Sequence, residues 1–126
     1  MDADLKGGTV DLVGLEIEKR EDIVIAHVTG ELDIVGASST GEAIGEAVPT
    51  SARALVVDLG LLEFIDSSGI AMLFSLARRL GGQRQALRVV ARSGEPVQRV
   101  LELVEFDRAA PIYETVDDAV GALSRD

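Results

Sequence analysis

The chain has 126 residues, 47% of them apolar, and a formal net charge of −10 at neutral pH. This length suffices for one domain with its own core, and the acidity argues against a general nucleic-acid binder or attachment to anionic membranes. The absence of cysteine excludes disulfides and thiolate metal sites, and a single histidine leaves little for a transition-metal centre. We therefore expect no cofactor and no metal.

The start of the chain predicts a loose tail followed by one domain. Residues 1–12 are largely polar and contain glycine, so we place the folded domain at residues 13–126. The tail lacks the cationic start and apolar run of a signal peptide, and no segment approaches the ~20 apolar residues that span a bilayer. These features predict a cytoplasmic protein without a membrane partner.

Two strands are predicted at the beginning of the domain. Residues 13–18 alternate between apolar and polar or small side chains, which indicates a half-buried strand. Ile23–Thr29 follows after a polar turn and should pair with it as a hairpin. His27 falls on the face of this second strand opposite its most apolar side, and a catalytic role for it is disfavoured. Gly30–Asp33 should then leave the sheet.

Helices and strands alternate through the rest of the chain. The predicted elements are a helix at Ala37–Val48, a strand at Ala54–Leu59, a helix at Ile70–Leu80, a strand at Ala86–Ala91, a helix at Pro96–Val104, a short strand at Pro111–Tyr113 and a helix capped by Thr115. The order β-β-α-β-α-β-α-β-α predicts an α/β fold. Its sheet should be mixed and mainly parallel, with crossover helices.

Small residues set the expected helix boundaries. Gly81-Gly82 should stop the helix that begins near Ile70, and Ser93 should cap the next one. Gly41 and Gly45 each cost roughly 1 kcal/mol relative to alanine inside a helix. The first helix must therefore be held by packing rather than by propensity.

The most informative tetrapeptide is Asp66-Ser67-Ser68-Gly69, at the turn between an apolar segment and an amphipathic helix. Backbone N–H groups at a helix start lack intrahelical partners, and the helix dipole favours negative charge there. Taken alone, the residue types favour helix capping, since aspartate and serine are preferred caps. A phosphate on Ser67 is the alternative, because the same N–H donors would tolerate it.

Three segments resemble the STAS domain of bacterial anti-sigma factor antagonists. They are TGELD at Thr29–Asp33, FIDSSGI at Phe64–Ile70 and VQRVLELVEFDRAAPIY at Val97–Tyr113, with Gly81-Gly82 between the last two. The resemblance covers nearly all of the chain from about residue 13. It implies a single STAS-type domain that is not an enzyme.

The resemblance also implies a partner-switching regulator of transcription. In that family the unmodified antagonist binds an anti-sigma factor that is also a serine kinase, which releases the sigma factor. Phosphorylation by that kinase breaks the complex, and a metal-dependent serine phosphatase restores it. The family's phosphorylated serine falls on Ser67 and its motif aspartates fall on Asp33 and Asp66. With Ser68 and Gly69, these aspartates are the expected partner-binding residues.

Two departures from the family pattern concern helix ends. Ile34–Ala37 offers no clear cap for the first helix, which would flank the binding surface. Glu105 stands where relatives often have glycine, so that helix end should terminate differently. Neither change touches Ser67.

Several alternatives stay open at this point. The chain could be a STAS interaction module in another complex, such as a stress-signalling scaffold or a lipid-transport assembly. A serine hydrolase is disfavoured because G-x-S-x-G is absent and the only histidine lies on another strand. Asp33 could serve as a solvated turn residue instead of a partner contact. Gly69 could permit close packing as well as close approach of a partner.

Overall fold

A sheet with helices on both faces organises the chain. The computed structural model describes residues 13–124, so the predicted tail at residues 1–12 lies outside the described residues. Within them the strands are β1 (Val13–Arg20), β2 (Ile23–Leu32), β3 (Ala54–Asp58), β4 (Leu62–Ile65), β5 (Ala86–Val90) and β6 (Ile112–Tyr113). The helices are α1 (Ala37–Ala47), α2 (Ser67–Gly82), α3 (Pro96–Leu103) and α4 (Val116–Ser124).

The sheet is mixed and mainly parallel, as the order of elements predicted. Its strands run in the order β1-β2-β3-β5-β6, with β4 pairing with β2 beyond the end of β3. β1 is antiparallel to β2, which confirms the hairpin. All other pairs are parallel, because each connection between them crosses over through a helix or a loop.

The two faces of the sheet carry separate cores. Val24, Ala26 and Val28 of β2 point into the larger core, which they share with α1, α2 and α3. Ile23 and Ile25 point into the smaller core under α4. Strand β3 lacks alternation because it is covered on both sides, and residues 54–57 are fully buried.

The end of β2 and the whole of β4 differ from the sequence prediction. β2 does not leave the sheet at Gly30 but continues to Leu32, and its last residues pair with β4, which was not predicted. Gly30 adopts a φ of +87°, and the register shifts between Gly30 and Glu31. The extra residue is Glu63 of β4, because Gly30 pairs with Leu62 and Glu31 pairs with Phe64. β4 is short and its burial does not alternate, so it carries no period-two pattern.

α2 ends at Gly81-Gly82, as predicted, although both glycines belong to the helix, which runs to Gly82 with a cap at Gln83. The chain reverses afterwards at Arg84, which has a φ of +61°. A β-carbon at either glycine would meet no atom within 4 Å, so nothing in the packing requires glycine there.

Ser93 is not the cap of α3. Glu95 occupies the cap position without a side-chain hydrogen bond, and Pro96 begins the helix with a φ suited to its first turn. Thr115 does cap α4, because its Oγ1 accepts the backbone N–H of Asp118 at 3.0 Å. α3 therefore begins with a proline, whose ring fixes φ, and not with the serine side-chain cap that the sequence predicted.

The two departures from the family pattern have definite outcomes. The cap position of α1 is Gly36, which makes no side-chain hydrogen bond, as the sequence indicated. At the end of α3, Glu105 adopts the left-handed conformation with a φ of +56°. Glycine is favoured in this conformation because it has no β-carbon. The backbone at the end of α3 therefore has the geometry that glycine commonly adopts there, and only the residue type differs.

Close packing explains the two glycines of α1. A β-carbon on Gly41 would lie 2.6 Å from Cγ of Met72, and one on Gly45 would overlap the guanidinium of Arg79. Arg79 also donates to the carbonyl of Gly45 at 3.4 Å. The absence of side chains lets α1 approach α2, although at Gly45 the neighbouring group is the flexible end of Arg79.

Phe106 is the largest fully buried side chain and provides a test of the larger core. Its ring meets Phe74 edge to face, with centroids 4.8 Å apart. We expect Phe106→Ala to lower the free energy of unfolding by about 3–5 kcal/mol, because it removes apolar area and leaves a cavity. Urea denaturation measures the loss. Phe64→Ala, at a ring that is 47% exposed, is the matched control and should cost much less; equal losses would contradict this assignment.

Candidate functional site

The ends of β2 and β4 bring the motif residues to one edge of the sheet. Leu32 and Ile65 are paired in neighbouring parallel strands, so Asp33 and Asp66 occupy equivalent positions just beyond them. The N–H of Asp66 donates to the carbonyl of Leu32 at 3.2 Å and extends this pairing. We call residues 33–36 and 66–69 at this end the serine edge. Both α1 and α2 begin here.

Asp66 is the side-chain cap of α2. Its backbone is extended, with φ −113° and ψ −169°, and Oδ1 accepts the N–H groups of Ser68 at 2.8 Å and Gly69 at 3.2 Å. An aspartate in this position satisfies two unpaired donors and places a negative charge at the positive end of the helix dipole. Capping is thus performed by Asp66 and not by a serine.

Ser67 is the first residue of α2 and is exposed. Among residues 13–124, its hydroxyl makes no hydrogen bond. The N–H groups of Ser68 and Gly69 are already engaged by Asp66, so they are not open to a group attached to Ser67. The Ser67 hydroxyl therefore has no structural role among the described residues and is accessible from solvent.

Asp33 shapes the loop that leads into α1. Its Oδ1 accepts the N–H of Val35 at 3.0 Å, and its carbonyl accepts the N–H groups of Gly36 and Ala37 at 3.2 and 2.8 Å. These bonds form the turn expected of an aspartate in this position. The turn presents Ile34 and Val35 to solvent, where they are 77% and 63% exposed.

Gly69 fixes how closely α2 sits on the strand ends. It is buried, and a β-carbon there would lie 2.7 Å from the carbonyl oxygen of Leu32 and 2.6 Å from Cγ1 of Ile65. The backbone oxygen cannot move aside as a flexible side chain could. The geometry thus supports the packing alternative for Gly69.

A groove of about 500 Å³ runs between α1 and α2 and begins at the serine edge. Ser68, which is half-buried, lines its near end, and Ile34 lies beside it. The remaining lining residues come from both helices: Ala37, Ser38, Gly41, Glu42, Ala71, Met72, Ser75, Leu76 and Arg79. The exposed hydroxyl of Ser67 therefore stands next to a concave surface.

Sequence reasoning missed the apolar side chains around the serine edge. Ile34, Val35 and Phe64 are exposed although each is large and apolar. The sequence contained an indication of this exposure. Ile34 and Val35 are consecutive branched apolar residues in a loop, and two such neighbours are rarely both buried in the core. Such exposed residues next to a motif are typical of a protein-binding surface.

The described residues provide no evident catalytic machinery beside Ser67. His27 is the single histidine of the chain, and its ring nitrogens contact carboxylates of Glu18 and Asp58. No group of three or more histidine, cysteine or acidic side chains in residues 13–124 could hold a metal ion. In the same part of the chain, no helix has the length and apolar character needed to cross a bilayer.

The fold and the serine edge define a small α/β domain with an exposed serine at the start of a helix. The sequence profile of the STAS domain matches residues 14–119, and the chain belongs to this family. The resemblance seen in the sequence is thereby confirmed over most of the chain.

Relatives of the chain include regulators of sigma factors. The anti-sigma-F factor antagonist RsfB of Mycobacterium tuberculosis is 31% identical over 110 residues, which is 87% of this chain and 88% of RsfB. The crystal structure of an anti-sigma factor antagonist from Mycobacterium paratuberculosis is 35% identical, with a TM-score of 0.80 and coverage of 90% of this chain and 95% of that one.

A more distant structural relative shares the fold. The anti-sigma factor antagonist SpoIIAA, in its unphosphorylated form, superposes with a TM-score of 0.73 at 18% identity and covers 90% of this chain and 98% of its own. The phosphorylated form of this Bacillus protein superposes with a TM-score of 0.64 at 20% identity, covering 87% and 99%.

The close packing of α2 against the ends of β2 and β4 can be tested at Gly69. We expect Gly69→Ala to lower the free energy of unfolding by about 1–3 kcal/mol, since the added methyl must displace backbone. Gly81→Ala in the same helix is the control; it meets no atom within 4 Å and should be stabilising by about 0.5–1 kcal/mol through propensity alone. Thermal and urea unfolding measure both. A neutral Gly69→Ala would show that the contact with Leu32 is not rigid.

The cap can be tested at Asp66. We expect Asp66→Ala to cost about 1 kcal/mol of stability, because two N–H donors of the first turn lose their acceptor. Asp66→Asn keeps an acceptor oxygen and should recover most of that loss, apart from the charge–dipole part. Urea unfolding at neutral pH compares the two. If both variants were as stable as the parent chain, the cap would not contribute to the start of α2.

Proposed function

We propose that the chain is an anti-sigma factor antagonist whose partner is switched by phosphorylation of Ser67. The observation that carries the proposal is the exposed Ser67 hydroxyl, which makes no hydrogen bond to another described residue at the edge where α1 and α2 begin. The names of RsfB and of the paratuberculosis protein support the class of partner. In this proposal the chain works in the cytoplasm, where sigma factors act.

The unphosphorylated serine edge is the docking surface for the anti-sigma factor. Ile34, Val35 and Phe64 supply exposed apolar area that a partner would bury. Asp33 and Asp66 flank it with negative charge, and the net charge of −10 favours a partner with a basic face. Ser68 extends the surface into the groove, while Gly69 supports it from below.

The partner is proposed to be a serine kinase that modifies Ser67 within the complex. The Ser67 Oγ attacks the γ-phosphorus of ATP, the bond to the β-phosphate oxygen breaks, ADP leaves, and the hydroxyl proton passes to a base on the kinase. The chain is the substrate of this step and contributes no catalytic group. A metal-dependent serine phosphatase hydrolyses the phosphoester and regenerates the hydroxyl.

The phosphate disrupts binding because of where it falls. It adds about −1.5 to −2 charges next to Asp66, whose Oδ1 already takes two donors of the first turn. In the proposed mechanism the phosphate projects outwards, into the space that the partner occupies. Repulsion and lost shape fit there act on the interface, and the fold beneath remains capped by Asp66. A loss of ~3–4 kcal/mol in binding corresponds to a few hundred-fold in affinity.

Mass spectrometry identifies the modification directly. The protein is incubated with ATP and candidate anti-sigma kinases from its own genome, and a gain of one phosphate on the peptide containing Ser67 is expected. Ser67→Ala should remain unmodified, and Ser68→Ala should be modified like the parent chain. Phosphate on Ser68 with Ser67 intact would contradict the assignment.

Binding affinities test the consequence of the charge. Ser67→Ala should bind the cognate anti-sigma factor as the parent chain does, whereas the phosphorylated chain should bind a few hundred-fold more weakly. Ser67→Asp should be intermediate because it carries less charge than a phosphate. Calorimetry or surface plasmon resonance gives the constants, with Ser51→Ala, at an exposed serine just before β3 at the other end of the sheet, as the control. Equal affinities for all forms would contradict the switch, and absence of binding to any anti-sigma factor would favour a STAS interaction module with another partner.

A further inference from the structure

His27 lies between two carboxylates that belong to different strands. Its Nδ1 is 2.7 Å from Oδ2 of Asp58 on β3, and its Nε2 is 2.9 Å from Oε1 of Glu18 on β1. The imidazole is only 28% exposed and Asp58 19%. One side chain on β2 thus connects three neighbouring strands on the face that carries α4.

This arrangement suits the doubly protonated ring. A neutral imidazole has one N–H, so one of the two carboxylates would face a lone pair, whereas imidazolium donates to both. Partial burial lowers the pKa of His27, but the hydrogen bonds to Glu18 and Asp58 and their charges raise it more, so the pKa lies above 6.5. The pKa of Glu18 is lowered by hydrogen bonds from Arg20 and then from His27.

Asp58 uses its other oxygen to hold the turn that follows β3. Oδ1 accepts the N–H of Gly60 at 2.9 Å, and the N–H of Leu62 donates to the carbonyl of Leu59 at 3.1 Å. This turn delivers the chain into β4, which ends at Ile65 immediately before Asp66. A single carboxylate therefore connects the imidazole to the segment that leads to the serine edge.

We propose that protonated His27 is a proton-sensitive clamp that joins β1 to β3 and, through Asp58, steadies the β3–β4 turn. Loss of the proton leaves the ring with one N–H and no charge, so one carboxylate faces a lone pair and the other accepts only a neutral hydrogen bond. In either tautomer Asp58 loses its charge-assisted hydrogen bond and is held less tightly, and the turn loses part of the support for its Gly60 hydrogen bond. The stability of the turn that leads into β4 therefore depends on pH.

The other charged groups on this face of the sheet carry both signs. Glu16, opposite His27 in the β1–β2 register, favours the imidazolium, whereas Arg88 on the same face of β5 opposes it. On β1, Arg20 is shared between Glu18 at 2.6 Å and Asp117 of α4 at 3.4 Å. The positive charge of Arg20 is thus itself paired with acids.

The pKa shifts set the pH window in which the clamp stabilises the fold. Because the folded pKa of His27 is raised, its contribution is fully present below pH 6.5 and is lost as the pH rises through that folded pKa. Because the pKa of Glu18 is lowered, its contribution is present above pH 4.5 and is lost as the pH falls through its folded value. Stability from the clamp should be greatest between these two limits.

An NMR titration of the full chain tests the clamp. The His27 ring protons should titrate with a midpoint above 6.5, and the Gly60 amide should shift with the same midpoint. Hydrogen exchange at residues 60–65 should speed up as the proton is lost, beyond the intrinsic rise with pH. A midpoint at or below 6.5, or a Gly60 amide and exchange rates that ignore the His27 titration, would overturn the proposal.

Three variants separate the clamp from simple loss of structure. Asp58→Asn retains an oxygen for the Gly60 N–H but lacks the charge, so the turn should persist while the His27 midpoint falls. Glu18→Gln, at the more exposed end, should lower the midpoint even if Asp58→Asn does not fold. Glu16→Gln changes a neighbouring charge without a hydrogen bond to His27 and should lower it much less. Because these measurements require no kinase or partner, their outcome is independent of the proposed role of Ser67.

Discussion

The close contact between the first turn of α2 and the ends of β2 and β4 determines what the serine edge can do. Gly69 brings the helix backbone against the carbonyl of Leu32, and Asp66 caps the same turn. A larger residue would lift the helix, and the exposed hydroxyl of Ser67 would then move with it. The position of the serine is thus set by backbone packing rather than by any bond that the serine makes.

Different residues at the serine edge serve folding and the proposed signalling role. Asp66 accepts the N–H groups at the start of α2, so Ser67 is not needed as a cap. Ser67 can therefore carry a phosphate without disturbing the core. The apolar residues Ile34 and Val35 are held outwards by the turn that Asp33 forms. A partner bound to this surface would contact a phosphate on Ser67 directly, whereas the sheet beneath would be little affected by it. In the proposed mechanism, affinity can therefore change by orders of magnitude while the fold stays the same.

Long-range contacts explain where sequence reasoning failed. β4 consists of four residues whose burial does not alternate, and its pairing with β2 shifts register and leaves Glu63 as the extra residue. Ser93 was wrong as the cap of α3, because Pro96 begins that helix without a side-chain cap, and α2 ends at Gly81-Gly82 although the left-handed residue is Arg84. Local residue preferences describe what can end a helix, but neighbouring elements choose among the possibilities.

The sequence alone determined the hairpin, the alternation that makes the sheet mainly parallel, the burial of β3 and the placement of Ser67 at a helix start. These follow from periodicity and local chemistry, which act over a few residues. Only the tertiary structure decided that Asp66 is the cap, that Gly69 is needed against Leu32, and that His27 joins Glu18 to Asp58. Those contacts join strands and helices that are distant in the chain, and their geometry exists only once the sheet has formed.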